Sequence, residues 1–565
     1  MLIRLCFLLA ILAGSHASAS VLPKQAAVAS AHPLATEAGI RILESGGNAF
    51  DAAITVAAVL GVVEPYSAGI GGGGFWMLQR GKDGKTIMLD ARERAPGAAH
   101  KNLYLDEQGK VDRDKATNTA LAAGIPGQAA AFVHLSDHYG TLALADTLAP
   151  AIRLAAGGFP VNKVYRHLAE MRASTLRRYP ASKRIFLRDG KVPDGGLIVQ
   201  QGLASTLKTL AEKGFDGFYK GELAKRLVAG ANAHGGIWSL EDLANYRVIE
   251  REPVRFQYAD AVIWSAPPPS SGGVALAQMF GMLSLFNLDT KSSADRTHLL
   301  IEVMRRAYRD RAEYLGDPDY VDIPIARLTS AAYLDNLASS ISMAHATPSS
   351  ELGLPKQTGS GTHTTHFSII DRQGNKVAAT LSINLPFGSG VTVAGTGVLL
   401  NNEMDDFSAK PGSPNAYGLI GGRQNAIEPG KRMLSSMTPT LLFSDDGTLV
   451  ATGSPGGSRI INIVLQIVCN IVDHGMNVAE ATHTPRFHHQ WLPDELRIEH
   501  GMNDGQAKLL SARGHRIRVA PDIGSTQTVM LRKGIFQGSS DPRIGGALTL
   551  GLSDNHTPAP GPASE

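Results

Sequence analysis

The chain has 565 residues, 43% hydrophobic and 19% charged, with 54 Lys and Arg against 51 Asp and Glu. It is too apolar for a disordered chain and long enough for a substantial buried core. A formal net charge of +3 gives no electrostatic reason to expect nucleic acid or an anionic membrane as the main partner.

In chain order, Arg4, the apolar run from Leu5 to Ala13 and the small residues Ala17-Ser18-Ala19 read as an export signal cut after Ala19. The run is too short for a bilayer, which takes about 20 residues. The mature chain is thus expected to start at residue 20 and to be periplasmic or secreted. Cys6 leaves with the signal, so Cys469 has no partner for an intrachain disulfide; its apolar neighbours Val464, Leu465, Ile467 and Val468 predict a buried structural thiol. Thr36 to Leu43 is helix-prone, Gly46-Gly47-Asn48 breaks it, and Asp51 to Val63 is a helix apolar on all sides, stopped by Glu64-Pro65. The glycine run 69–74 is followed by a strand at 75–78 with no Lys-Ser/Thr, which excludes a phosphate loop and leaves close strand packing. Residues 86–90 form a strand that delivers Ala91 to Pro96 to a loop. From 119 to 345 the pattern is mostly helical, amphipathic at 126–138, 143–156, 202–213, 222–234 and 295–315. Residues 345–361 read as an exposed, flexible polar linker.

After the linker the texture changes. Thr364 to Asp371 and Asn375 to Asn384 alternate, which predicts a hairpin about Arg372-Gln373-Gly374 with glycine at the left-handed third position. Strand cores follow near 397–401, 439–443 and 449–453, then a helix over 459–473. The turn pairs Asp371 with Asn375 and therefore Thr364 with Ser382, about 5 Å apart at Cβ. Asn384 lies two residues on, on the same face. Two facing hydroxyls are either an ordinary cross-strand pair or a nucleophile with its helper. By themselves, Arg92 reads as an arginine paired with Glu93, Asn401 to Asp406 as a polar turn without EF-hand spacing, and Gly456-Gly457 as a tight turn. His363, His366, His488 and His489 show no clear ligand spacing, and there is no nucleotide or flavin fingerprint, so no metal or cofactor is expected.

The octet Gly361-Thr362-His363-Thr364-Thr365-His366-Phe367-Ser368 resembles the processing site of the γ-glutamyltranspeptidases, N-terminal-nucleophile hydrolases made as one chain that cuts itself before a threonine. The resemblance extends through Gly46 to Ala53, Arg92-Glu93-Arg94-Ala95-Pro96, Ala123 to Gly127, Asn401 to Phe407, Leu434 to Pro439, Gly453 to Ser458 and Pro485 to Trp491. It implies a four-layer αββα sandwich of the α+β class, built jointly by a large subunit, 20–363, and a small subunit, 364–565. It implies Thr364 as nucleophile with its freed α-amine as base, and Ser382 positioning the hydroxyl where relatives carry Thr. Gly456 and Gly457 would form the oxyanion hole. Arg92 would meet the α-carboxylate of a γ-glutamyl donor, and Glu403 and Asp406 its α-ammonium. Asn384, Ser435 and Ser436 would complete the pocket, and residues 408–422 would form a lid carrying Tyr417. The implied activity is ping-pong transfer of a γ-glutamyl group from glutathione to water, an amino acid or a dipeptide. The alternatives are a related acylase for glutaryl β-lactam side chains, which has no ammonium to hold, and an inert uncleaved scaffold, against which the intact octet speaks.

Overall fold

Two antiparallel sheets face each other, and alternation along their strands decides what each face meets. The computed structural model describes residues 25–353, 364–543 and 545–551; the signal, His363 and the bond before Thr364 lie outside them. The first sheet has the strand order Ala547–Gly551, Ala26–Ser30, Thr365–Ile370, Lys376–Ser382, Gly73–Gln79, Thr86–Ala91, Ile249–Arg251. The second runs Ile535–Ser540, Gln527–Arg532, Leu449–Thr452, Thr440–Ser444, Ala261–Ser265, Val254–Tyr258. On the hairpin, Phe367, Ile369, Val377, Ala379 and Leu381 point to a helical layer that includes Pro33–Glu44, Ala49–Val63 and Leu144–Gly157. Ile370 and Ala378, on the opposite parity, meet the second sheet, as period-2 geometry requires. Helices Gly272–Leu283, Ser293–Tyr314 and Ile460–Val472 cover that sheet's outer face. The result is an αββα sandwich.

The hairpin has the expected register. Asp371 N–H donates to the Asn375 carbonyl, Gly374 has φ 77°, and the ladder runs from Ile370–Lys376 to Thr365–Leu381. The next pair in that register is Thr364 with Ser382. Ala49–Val63 is buried except at Gly61 and is closed by a capping box of Asn48 and Asp51. The glycine run does pack backbone on backbone: a Cβ at Gly72 would strike the Ser382 carbonyl, and one at Gly73 that of Ala91. Those contacts seat the ends of the strands that lead to Asn384 and Arg92. Cys469 is free and buried.

Three expectations change. Residues 397–401 are not a strand; Thr392 and Leu399 form an isolated bridge, and Gly395 and Gly397 sit at φ 76° and 68°, which breaks a ladder. The linker does not begin free: Ser349–Leu352 is a short 3₁₀ turn, and the buried Ser349 donates its hydroxyl to the Trp491 carbonyl (2.6 Å) and its N–H to Asp494 (2.8 Å). The helical span 119–345 also holds the strands at 249–251, 254–258 and 261–265, two of which complete the second sheet. Ala26–Ser30, unanticipated, is buried throughout; its run of alanines carries no period-2 signal because both faces are covered.

Candidate active site

Thr364 stands at the entry to strand Thr365–Ile370, buried, on the inter-sheet parity. Its Oγ1 accepts the Gly456 N–H at 3.1 Å. Gly456 and the following Gly457 have φ 144° and 57°, backbone that side chains rarely adopt, which lets this turn present its N–H to the hydroxyl. Opposite, Ser382 Oγ accepts the Asn384 N–H at 2.7 Å; among the described residues it makes no direct bond to Thr364. Asn384 itself is left-handed at φ 71°, a conformation asparagine tolerates, and its Nδ2 donates to the Asn402 carbonyl at 2.9 Å.

The charged part of the site comes from two distant segments. Strand Thr86–Ala91 delivers Arg92, fully buried, whose Nε donates to the Met433 carbonyl at 3.2 Å. Its guanidinium is bonded to Glu403 through Nη1 and to Asp406 through Nη2, the latter at 2.6 Å. Glu93, read from sequence as the partner of Arg92, is the looser neighbour at 3.7 Å. Burial opposes the Arg92 charge, but Glu403 and Asp406 outweigh it and raise its pKa. Burial also raises the acids: Glu403 is pushed up to about 7 against the pull of Arg92, and Asp406 is raised for the same reason. Glu403 Oε2 and Asn384 Oδ1 are buried without a hydrogen-bond partner. These are acceptors that a donor group would satisfy.

Thr364, Ser382, Asn384, Glu403, Asp406, Tyr417, Ser435, Ser436 and Gly457 surround one cavity of about 20 Å³, room for roughly one water. Arg92 and Gly456 do not line it; they reach it through Glu403, Asp406 and Thr364. Leu419, Met437, Ser458 and Ile460 complete the wall. Sequence reading missed these four, which carry no chemistry-bearing group beyond one hydroxyl. Tyr417 closes the top: its hydroxyl donates to the Asn384 carbonyl at 2.8 Å, and its ring lies over Gly457. Asn415 Nδ2 ties the same segment to Asp406 at 3.0 Å. Larger cavities, of about 550 and 670 Å³, lie elsewhere and contain neither Thr364 nor the acids.

His366 is not a base for Thr364. Its ring nitrogens bond Thr380 Oγ1 (2.9 Å) and Ser368 Oγ (3.1 Å), and burial lowers its pKa to about 3. Among the described residues, His298, Glu302 and His515 bring three potential metal-ligating atoms within 4.8 Å of one another. None lines the cavity, and Glu302 is already paired with Arg305 and Arg306.

Residues 35–550 match the family model described as Gamma-glutamyltranspeptidase. A glutathione hydrolase proenzyme of Escherichia coli strain K12 is 45% identical over 534 residues, covering 94% of this chain and 92% of that protein. The crystal structure of a cephalosporin acylase from Bacillus halodurans superposes with a TM-score of 0.83 at 29% identity, over 95% of this chain and 97% of that one. A γ-glutamyltranspeptidase structure from Helicobacter pylori, 37% identical, aligns with a TM-score of 0.55 over 57% of this chain and 93% of its own.

Proposed function

The chain belongs to the γ-glutamyltranspeptidase family, and from that premise we propose that it is a self-processing glutathione hydrolase and γ-glutamyl transferase with Thr364 as nucleophile. The observation that carries this reading is the hydroxyl of Thr364 on the Gly456 N–H, in the same small cavity as Glu403 and Asp406.

In the uncut chain Thr364 Oγ1 attacks the His363 carbonyl carbon. The His363–Thr364 C–N bond breaks, an ester to Oγ1 forms, and the Thr364 nitrogen takes up a proton. Water then hydrolyses the ester and leaves a free α-amine at Thr364. An α-amine has an ordinary pKa of about 7.7–8.0, so near pH 8 much of it is neutral and can accept the hydroxyl proton. The hydroxyl next attacks the γ-carbonyl of the donor. Gly456 and Gly457 N–H groups hold the tetrahedral oxyanion, and the leaving amine departs with the proton. Water, or the amine of an amino acid or dipeptide, takes the glutamyl group from the ester. Ser382 keeps the strand end and Asn384 in place.

For the donor, Glu403, Asp406 and the Asn384 oxygen suit an α-ammonium, while Arg92, Ser435 and Ser436 suit an α-carboxylate. The ammonium replaces Arg92 at the acid pair, which frees the guanidinium. Acylase relatives share the scaffold; the buried acids without a full complement of donors favour an amino-acid donor here. The export signal, with cleavage after Ala19 and a periplasmic or secreted product, is part of the same proposal. Among the described residues no helix is long and apolar enough to cross a membrane.

The test is the N-terminal residue of the smaller fragment of the purified protein. It should be Thr364, the Thr364→Ala variant should stay whole and inactive, and Thr364→Ser should still cut, more slowly. An uncut chain with full activity, or a fragment that starts elsewhere, removes the mechanism.

A further inference from the structure

A second guanidinium lies beside the donor pocket, and among the described residues no acid is paired with it. Arg311, in helix Ser293–Tyr314, is buried. Its Nε donates to Ser271 Oγ at 2.9 Å and its Nη2 to Ser436 Oγ at 3.2 Å. Among the described residues no carboxylate comes within ion-pair distance of it. Taking a cation out of water is costly unless an anion accompanies it, and two hydroxyls are weak compensation.

The fittings around Arg311 hold it against one stretch of backbone. Ser271 accepts from Arg311 and donates its hydroxyl to the Ser435 carbonyl at 2.7 Å, while its N–H bonds the same carbonyl at 2.9 Å. Ser436 and Ser435 both line the donor cavity. Because Arg311 can only donate, Ser436 Oγ must accept from it, which leaves the Ser436 proton free to point into the cavity. Arg92 is different: both its Nη groups are already engaged by Glu403 and Asp406, with Glu93 a third carboxylate at 3.7 Å, so one guanidinium faces more than one acid. The local balance therefore favours an ammonium strongly and a carboxylate weakly, unless another cation contributes.

We infer that Arg311 is a positioning residue for donor recognition: through Ser436 it orients a hydroxyl toward the donor's α-carboxylate and supplies the positive charge that balances it. This rests on the donor reading given above. It makes carboxylate recognition available before Arg92 has been released by the incoming ammonium. Burial lowers the Arg311 pKa, and Tyr308 and Asp406 offset part of that cost.

The experiment compares two competing ligands that differ only in the carboxylate, L-glutamate and 4-aminobutyrate, as inhibitors of γ-glutamyl-anilide turnover. It uses the processed wild type, Arg311→Gln, Arg311→Lys and Ser271→Ala. Losing a charge-backed hydrogen bond to an anion should raise the inhibition constant of glutamate in Arg311→Gln roughly tenfold or more, with that of 4-aminobutyrate unchanged. Arg311→Lys, which keeps the charge but not the fork, should recover part of the loss. Ser271→Ala should show a smaller shift of the same sign, and it provides the measurement should Arg311→Gln fail to fold. Equal weakening of both ligands, or no change in their ratio in any variant, overturns the role of Arg311 alone. A wild type that binds 4-aminobutyrate as tightly as glutamate overturns the donor reading itself.

Discussion

On the donor reading proposed above, Glu403 is expected to set the pH dependence of donor binding. Burial pushes its carboxyl up to about 7, against the opposing pull of Arg92. Only the ionised form gives an ammonium a full charge-assisted partner. The sign follows: donor affinity is complete above that pH and falls as the pH drops through it. We expect the KM for γ-glutamyl-anilide to rise progressively below about pH 7, whereas kcat follows the separate titration of the Thr364 α-amine. Glu403→Gln cannot ionise, so it should raise KM at pH 8 and flatten its pH dependence below 7. Steady-state kinetics between pH 5.5 and 9 check this; a wild-type KM flat across that range would place the ammonium elsewhere. The same residue shows what single positions conceal. Asn401 to Asp406 looks like a solvated turn in sequence, yet Glu403 is 2% exposed, because its partner is Arg92, 311 positions away.

At the scale of elements, the turn 456–457 and the lid segment act on each other. Gly457 sits at φ 57°, and a Cβ there would run into the Tyr417 ring. Gly457→Ala thus faces a left-handed penalty of roughly 1–2 kcal/mol as well as a collision with the lid. The expected outcome is a fall in kcat of tenfold or more, with the lid held off the cavity and more readily nicked by protease within 408–422. Limited proteolysis and kcat measured on the same preparation test it; unchanged values for both would mean that the turn neither touches the lid nor faces the reacting carbonyl. The hairpin 365–382 shows the opposite relation between sequence and structure. Its register was legible from the turn and the alternation alone, since glycine at the third loop position fixes the loop and the apolar residues Val377, Ala379, Leu381 and Ile383 gather on one parity although both faces are buried. The expected strand near 397–401 failed because a short apolar run, Val398 to Leu400, does not by itself show that the glycines leading into it, Gly395 and Gly397, are left-handed.

For the whole molecule, the proposed cut before Thr364 would divide strands that are neighbours in both sheets. Ala26–Ser30 is flanked by Ala547–Gly551 and Thr365–Ile370, and Lys376–Ser382 pairs with Gly73–Gln79. In the second sheet Thr440–Ser444 pairs with Ala261–Ser265. The proposed fragments 20–363 and 364–565 could not part without opening both sheets and exposing the core between them. They should elute together in gel filtration under reducing conditions and separate only at denaturant concentrations that also abolish near-ultraviolet circular dichroism. Dissociation in dilute native buffer would contradict the shared architecture.

The division between sequence and tertiary structure follows the range of the forces. Alternation, turn glycines, the buried helix from Asp51 to Val63 and the motif around Thr364 are local, and they set Thr364 opposite Ser382 from the sequence alone. The strands Ala26–Ser30 and Val254–Tyr258 were not legible: a strand covered on both faces loses its period, and a short strand among long helices is outweighed by its neighbours. What the tertiary structure alone decided is the charge pairing. In sequence Arg92 has Glu93 beside it and Arg311 is one of several cations on a helix; in the folded chain Arg92 is committed to Glu403 and Asp406, and Arg311, among the described residues, bonds two serines. Desolvation makes that choice, because a buried charge must take whichever partner the fold brings within reach, and nearness along the chain does not determine which one that is.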